Sequence, residues 1–373
     1  NYIFKCNAAF EGLNNNDKIT PAVRKQLLGE VYFLRGWLFF YLSNLYGDVP
    51  LPVGTDPEVN RLLPRSSRQE VMLFIIENLE QAQELLSPDF VNAQLIPYSP
   101  GTEERTRPTK WAAKAMLARM YLYTEQWAKA EAEANTIIDN GALFGMVPLN
   151  EIFLKNSTEA IWQLQPVFAG WNTAEARRFK LSAFPEGLSM EKQVYLSQFM
   201  LDAFEAGDQR RSQWVDSFTD ANNTYYFPAK YKVGEFDGAA TSAGSLTEYS
   251  MALRLSEQYL IRAEARARQN NLTGAIADLD IIRQRAELPL IAETNPGISQ
   301  DNLLTAILHE RQVELFTEWG HRWFDLKRVG KVDEVMSVVT PLKGGSWQTT
   351  DQLMPVPYDE LLYNPKLVQT PGY

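Results

Sequence analysis

Leu28-Gly29-Glu30-Val31-Tyr32-Phe33-Leu34-Arg35-Gly36-Trp37-Leu38-Phe39-Phe40-Tyr41-Leu42, running on into Tyr46-Gly47-Asp48-Val49-Pro50-Leu51, decides the fold class of this chain. Apolar residues at Leu27, Val31, Leu34, Leu38, Tyr41 and Leu45 keep a helical period, which predicts a helix from about Pro21 to Leu45. Gly47 ends it, and Pro50 and Pro52 stop it resuming. A second stretch of the same character lies near the other end. It reads Glu310-Arg311-Gln312-Val313-Glu314-Leu315 and then Gly320-His321-Arg322-Trp323-Phe324-Asp325-Leu326-Lys327-Arg328. Both plant charges among large apolar residues, and a buried charge costs several kcal/mol unless it is paired. Glu30, Arg35, Glu310, Arg311, Glu314, Arg322 and Asp325 are therefore predicted to form internal ion pairs that fix how helices dock.

Outward from these stretches the helical pattern continues. Ser66 or Ser67 caps a second helix, Arg68 to Leu86, with Glu70 in its first turn. The stretch from Ser87 to Pro108 is loop, broken by Pro88, Pro97, Pro100-Gly101 and Pro108. Two helices follow, Thr109–Thr124 and Gln126–Asn140, with tetratricopeptide-like spacing and small residues at Ala118 and Ala130. The arrangement recurs with Ala263 and Ala275 in Ser256–Gln269 and Leu272–Ala286. Between the copies, Gly141 to Thr247 changes character: Ala160 to Gln165 alternates like a strand. Polar and glycine-rich loops follow, among them Asp220-Ala221-Asn222-Asn223 and Gly234 to Ala240. A last helical block, Asp301 to Val339, leads to an irregular Pro-rich tail with Trp347 in a Gly-Gly-Ser-Trp turn. The expected fold is mostly α: tetratricopeptide-like helix pairs with an inserted loop-rich, partly β region. Its segments are 1–143 (helical), 144–247 (inserted, ligand-binding) and 248–373 (helical, then the tail), all within one integrated domain.

The tail reads Leu353-Met354-Pro355-Val356-Pro357-Tyr358-Asp359-Glu360-Leu361, then Asn364-Pro365 and Gln369-Thr370-Pro371-Gly372-Tyr373. The middle carries Leu253-Arg254-Leu255-Ser256-Glu257-Gln258-Tyr259-Leu260-Ile261-Arg262-Ala263-Glu264-Ala265. Together with the two helical stretches, and in this order, these motifs resemble the SusD/RagB family of outer-membrane nutrient-binding lipoproteins. The resemblance implies a SusD-like scaffold at the cell surface, an oligosaccharide ligand, and a SusC-like TonB-dependent transporter as partner. It implies no catalysis and no cofactor. It also implies a signal peptide and a lipidated cysteine upstream of Gly47-Asp48-Val49-Pro50, so this chain reads as beginning after both. Cys6 lacks a preceding apolar lipobox and is expected in the core.

Bulk properties narrow the function classes. The net charge of −10 argues against nucleic acid and against adsorption to anionic lipid. A single cysteine forbids an internal disulfide, and two histidines make a His-based metal site improbable. No stretch approaches the roughly eighteen apolar residues of a membrane span. His309-Glu310 opens like a zincin motif, but no second histidine stands where the helix would need it. A glycosidase carboxylate pair leaves no local signature, and none of the 46 acidic residues singles itself out.

The aromatic residues of the insertion and tail are the ligand candidates: Trp171, Trp214, Tyr225, Tyr226, Phe236 and Trp347, with Asn172 beside the first. A sugar ring presents an apolar face of C–H groups that a rigid indole or phenol buries at little entropic cost. Asn172, Arg177 or Asn223 could meet hydroxyls. Ordinary packing is the competing account of each ring. Trp37, Trp111, Trp127, Trp319 and Trp323 fall on helical stripes and are expected in the core, while Asp48 is expected to stabilise its turn. Three other functions stay open: a peptide-binding receptor of the same family, a tetratricopeptide adaptor, and a glycoside hydrolase.

Overall fold

The computed structural model describes residues 1–182, 194–220, 222–238 and 245–373. In chain order its elements begin with α1 (Tyr2–Asn14), α2 (Pro21–Tyr46), α3 (Pro57–Asn60), α4 (Arg68–Leu85), α5 (Lys110–Tyr123) and α6 (Trp127–Ile138). Then come β1 (Ala160–Leu164), α7 (Ala174–Phe179), α8 (Gln198–Leu201), α9 (Gln209–Trp214), β2 (Val215–Thr219), β3 (Thr224–Pro228) and β4 (Ser250–Arg254). The chain ends with α10 (Leu255–Arg268), α11 (Leu272–Arg285), α12 (Ile291–Thr294), α13 (Gln300–Glu314), α14 (His321–Arg328), α15 (Val332–Leu342) and α16 (Tyr358–Tyr363). This is the mostly helical architecture the periodicity predicts. No helix among the described residues is long and apolar enough to cross a membrane. Of the expected insertion loops, Ala221, Ala239 and Ala240 lie outside the described residues.

The residues form two compact units. The first holds Asn1–Tyr98, Pro108–Gln126 and Trp323–Tyr373. Its axis is α2, which is apolar nearly all round because two faces are covered. The predicted stripe of Leu27, Val31, Leu34 and Leu38 packs with Cys6 and Leu13 of α1, so Cys6 is indeed a core residue. A second and deeper face, with Phe33, Phe39 and Phe40 all essentially sealed, is the part the periodicity missed. Each such buried ring contributes about 2 kcal/mol. Gly36 allows α4 to come close, since a Cβ there would stand 2.9 Å from Leu79 Cδ2.

Arg35 departs from its predicted ion pair. Its guanidinium is buried over the rings of Phe10 and Phe74, at 5.4 and 5.1 Å, and burial lowers its pKa. Asp325 does pair, with Arg328 at 2.8 Å. Asp48 behaves as a turn residue: its Oδ1 accepts the Arg68 N–H at 2.7 Å where α4 begins. Ser67 closes that end with a capping box, its Oγ accepting the Glu70 N–H while Glu70 accepts the Ser67 N–H.

The second unit holds Ser99–Arg107 and Trp127–Arg322. Here α10 and α11 pair as expected. Ala263 and Ala275 are fully buried between Leu260, Leu279 and Ile282, with Ile307 of α13 packed on them. Arg266 ties α10 to α6 through Glu131 at 2.8 Å. Two small antiparallel pairings follow: β1 of the insertion with β4 just beyond it, and the β2–β3 hairpin within it.

A buried ionic network runs through this unit. Arg210 meets Glu310 at 2.5 Å, Glu314 at 3.0 Å and Asp208 at 2.9 Å. Arg254 meets Glu314 at 2.6 Å, Glu159 at 3.0 Å and Glu318 at 2.8 Å. Arg285 adds contacts to Glu159 and Glu314, and Lys230 reaches Glu318 at 2.5 Å. Glu310 and Glu314 are thus paired as predicted, mostly with partners no local pattern reveals. Burial alone would raise the Glu314 pKa, but the guanidiniums of Arg285, Arg254 and Arg210 outweigh it and hold the carboxyl well below its usual range.

Candidate functional site

The network matters for function because of what it holds in place. Glu318, gripped by Arg254 and Lys230, sits in the turn after α13, where Thr317 and Trp319 adopt φ of 57° and 42°. Left-handed backbone at a Thr and a Trp carries strain that surrounding contacts must hold. The turn is pinned again where Trp319 Nε1 donates to the Met251 carbonyl at 2.7 Å. Trp319 is therefore no helical core residue, contrary to expectation. It is a partly exposed indole facing a cleft.

The cleft has a volume of about 390 Å³ and lies wholly within the second unit. That size falls in the range of small-ligand sites. Its other wall is the loop leaving β1, with Gln165, Val167, Phe168 and Trp171, followed by Glu175, Arg177 and Arg178 of α7. Thr173 caps α7 by accepting the Ala176 N–H at 3.2 Å. Gly170 shapes the loop: its φ is +80°, and a Cβ there would stand 2.2 Å from the Phe236 ring. The Asp237 N–H donates to the Gly170 carbonyl at 2.8 Å, which seats Phe236 against Trp171 with ring centroids 5.4 Å apart. Arg177 lies over the Trp171 ring at 5.4 Å. Val167, Phe168 and Phe236 are 84%, 68% and 60% exposed, so this rim offers apolar surface to solvent. Glu175 and Ser250 share a short hydrogen bond within the wall. The cleft thus brings two indoles, Trp171 and Trp319, into one lining with Arg, Gln and carboxylate groups, a mixture that can take a ligand with both apolar faces and polar edges.

A sequence model of the SusD family matches residues 171–373. This chain belongs to the SusD family. A second model, described as starch-binding associating with outer membrane, matches residues 1–122. A SusD-like protein of Formosa agariphila is 24% identical over 99% of this chain and 76% of its own length. Among solved structures, a laminarin-binding SusD-like protein superposes with a TM-score of 0.77 at 22% identity, covering 100% of this chain and 84% of its own. The surface glycan-binding protein A from Bacteroides uniformis gives 0.77 at 20% identity, covering 99% and 82%. At these identities the structural likeness establishes the SusD fold.

Within this SusD-family chain the sequence-predicted ligand residues scatter. Trp171 lines the cleft and Phe236 borders it. Asn172 also lies at the cleft, but it is buried, and its Oδ1 accepts the N–H groups of Thr247 and Glu248 at 3.0 and 3.1 Å, so it holds structure. Trp214 is 1% exposed in a core with Phe153 and Phe316, its Nε1 donating to the Leu149 carbonyl at 3.0 Å; it cannot reach a surface ligand. Tyr225 and Tyr226 stand on β3 away from the cleft lining. Tyr225 packs edge-on against Tyr195 at 5.2 Å, and Tyr226 lies under Arg211 at 4.7 Å. Trp347 belongs to the first unit, where it donates to Asp333 at 2.8 Å and meets Trp323 edge-on at 5.9 Å.

Sequence reasoning missed Trp319, Val167 and Phe168. The available signal was Gly320, which could have marked Trp319 as lying on a turn. Glu310, the carboxylate of the apparent zincin start, is held by Arg210 and Arg283 as part of the network. Among the described residues no group of three His, Cys, Asp or Glu side chains stands together as a metal site.

Proposed function

We propose that this SusD-family chain captures an oligosaccharide without breaking it and passes it to a SusC-like, TonB-dependent β-barrel transporter, while a lipid anchor holds it at the outer membrane and facing outward. One observation carries the reading: Trp171 and Trp319, brought from loops far apart in sequence, line a single cleft of ligand size. Indoles bury the apolar face of a sugar with little loss of freedom. The glycan-binding names of two structural neighbours, laminarin-binding and surface glycan-binding, point to the same ligand class. Capture needs no cofactor, and modest affinity suits a ligand that must be released again.

Isothermal titration with a panel of neutral oligosaccharides, β-glucan fragments among them, tests the reading. At least one should bind, and Trp171→Ala should weaken it about fivefold, the equivalent of about 1 kcal/mol. Binding confined to peptides would replace glycan capture with peptide capture at the same cleft.

A further inference from the structure

A larger cavity, about 920 Å³, lies entirely within the first unit and shares no residue with the indole cleft. Its lining carries Arg65, Arg68, Lys327, Arg328 and Lys366 against the carboxylates of Asp48 and Glu125. That excess of positive charge stands out in a chain whose net charge is −10.

Only Arg328 among these cations has its charge met, by Asp325 at 2.8 Å. Among the described residues, no carboxylate makes an ion pair with Arg65, Arg68, Lys327 or Lys366. Arg65 is instead fixed by carbonyl oxygens. Its Nε donates to Asp48 at 2.8 Å, Nη2 to Tyr46 at 2.8 Å and Nη1 to Val368 at 3.3 Å. Lys327 Nζ donates to the Asn44 carbonyl at 2.5 Å. Carbonyls orient these groups without neutralising them, and each keeps unused N–H donors. Burial, together with the neighbouring Arg68 charge, lowers the Lys327 pKa to about 8. Four of the five lining cations thus have no ion-pair partner among the described residues, although Asp48 and Glu125 share the wall, and that surplus suits an anion that comes from outside the chain.

We propose that this cavity binds an acidic oligosaccharide, its carboxylate or sulfate oxygens held by Arg65, Arg68 and Lys327. Guanidinium groups match such oxyanions with paired hydrogen bonds. The volume suits several sugar units rather than a single ion. The Tyr123 ring and Leu353 supply apolar wall for the sugar body. The site is independent of the indole cleft, and either can fail without the other.

The test is calorimetric titration of the full chain with trigalacturonate, a sulfated galacto-oligosaccharide, uncharged laminarihexaose and inorganic phosphate. At least one acidic sugar should bind. The Arg68→Gln/Lys327→Gln double variant should weaken it at least tenfold, while Trp171→Ala changes it by less than twofold. Lys366→Gln, at an exposed position, should weaken it severalfold and keeps the test open should the double variant fail to fold by circular dichroism. Four results would overturn the proposal: no binding of either acidic sugar, unchanged affinity in the cation variants, phosphate binding as tightly as the sugars, or loss of acidic-sugar binding in Trp171→Ala.

Discussion

Arg254 Nη1 lies 2.6 Å from Glu314 Oε1, with both side chains sealed from water at 2% and 0% exposure. Glu314 also answers Arg210 and Arg285, so one carboxylate gathers guanidiniums from β4, α9 and α11. Glu314→Ala takes one carboxylate from each of those buried cations and leaves Glu159, Glu310, Glu318 and Asp208 to hold all three. Removing one side of a buried pair costs about 3–5 kcal/mol. Urea unfolding should show that loss, and a midpoint equal to the parent's would mean the network contributes no stability.

Acid should act through the same residues. For Glu318, as for Glu314, burial pushes the pKa up but the neighbouring Arg254 and Lys230 charges prevail, and the carboxyl lies below its ordinary value. Both folded-state values therefore lie under the unfolded value of about 4.3. Their contribution is complete above that pH and is lost as pH falls through the folded-state values, because protons then bind the unfolded chain first. The urea midpoint should hold between about pH 7 and 5 and drop below about 4.5, and Glu314→Gln should flatten the drop. An equally steep fall in that variant would assign the acid sensitivity elsewhere.

Gly170 is the point where backbone shape sets the cleft. Gly170→Ala puts a side chain at φ +80° and a Cβ 2.2 Å from Phe236, a ring that is free to move on its solvent side. The cost is about 1–2 kcal/mol, and Phe236 leaves its seat on Trp171. Indole emission from Trp171 should shift, with glycan affinity falling alongside. A variant indistinguishable in both would mean that Phe236 has no part in shaping the cleft.

The β2–β3 hairpin predicts a stability effect where sequence suggested a binding effect. Tyr225 packs with Phe218 over Leu181, Phe227 and Ala229, and against Tyr195. Tyr225→Ala should lower stability by about 2 kcal/mol and leave glycan affinity unchanged. Weakened binding with an unchanged melting temperature would return Tyr225 to the ligand contacts.

Much of the frame was legible because its causes are local. The period from Leu27 to Leu45 and the Ser67–Glu70 capping box each act within a few residues, and both helices appear within a residue or two of the expected bounds. The ionic partners were half legible: the need for a partner shows in Glu314, but Arg254 and Arg210 lie 60 and 104 positions away. The cleft was least legible. Trp319 leaves a helical stripe because distant Arg254 and Lys230 hold its neighbour Glu318 in a strained turn, and Trp214 is drawn inside where α9 runs into the buried start of β2. An aromatic side chain in a polar stretch reads alike whether it stacks on a ligand or on Phe153.

The most direct measurement is a glycan and peptide array probed with the parent chain and with Trp171→Ala, followed by chromatography of the released ligand. Non-destructive capture at the indole cleft predicts that the parent retains at least one oligosaccharide, that the variant loses most of that signal, and that the sugar is recovered at its original length. Equal retention by the variant, or shortened sugar in the eluate, would contradict it.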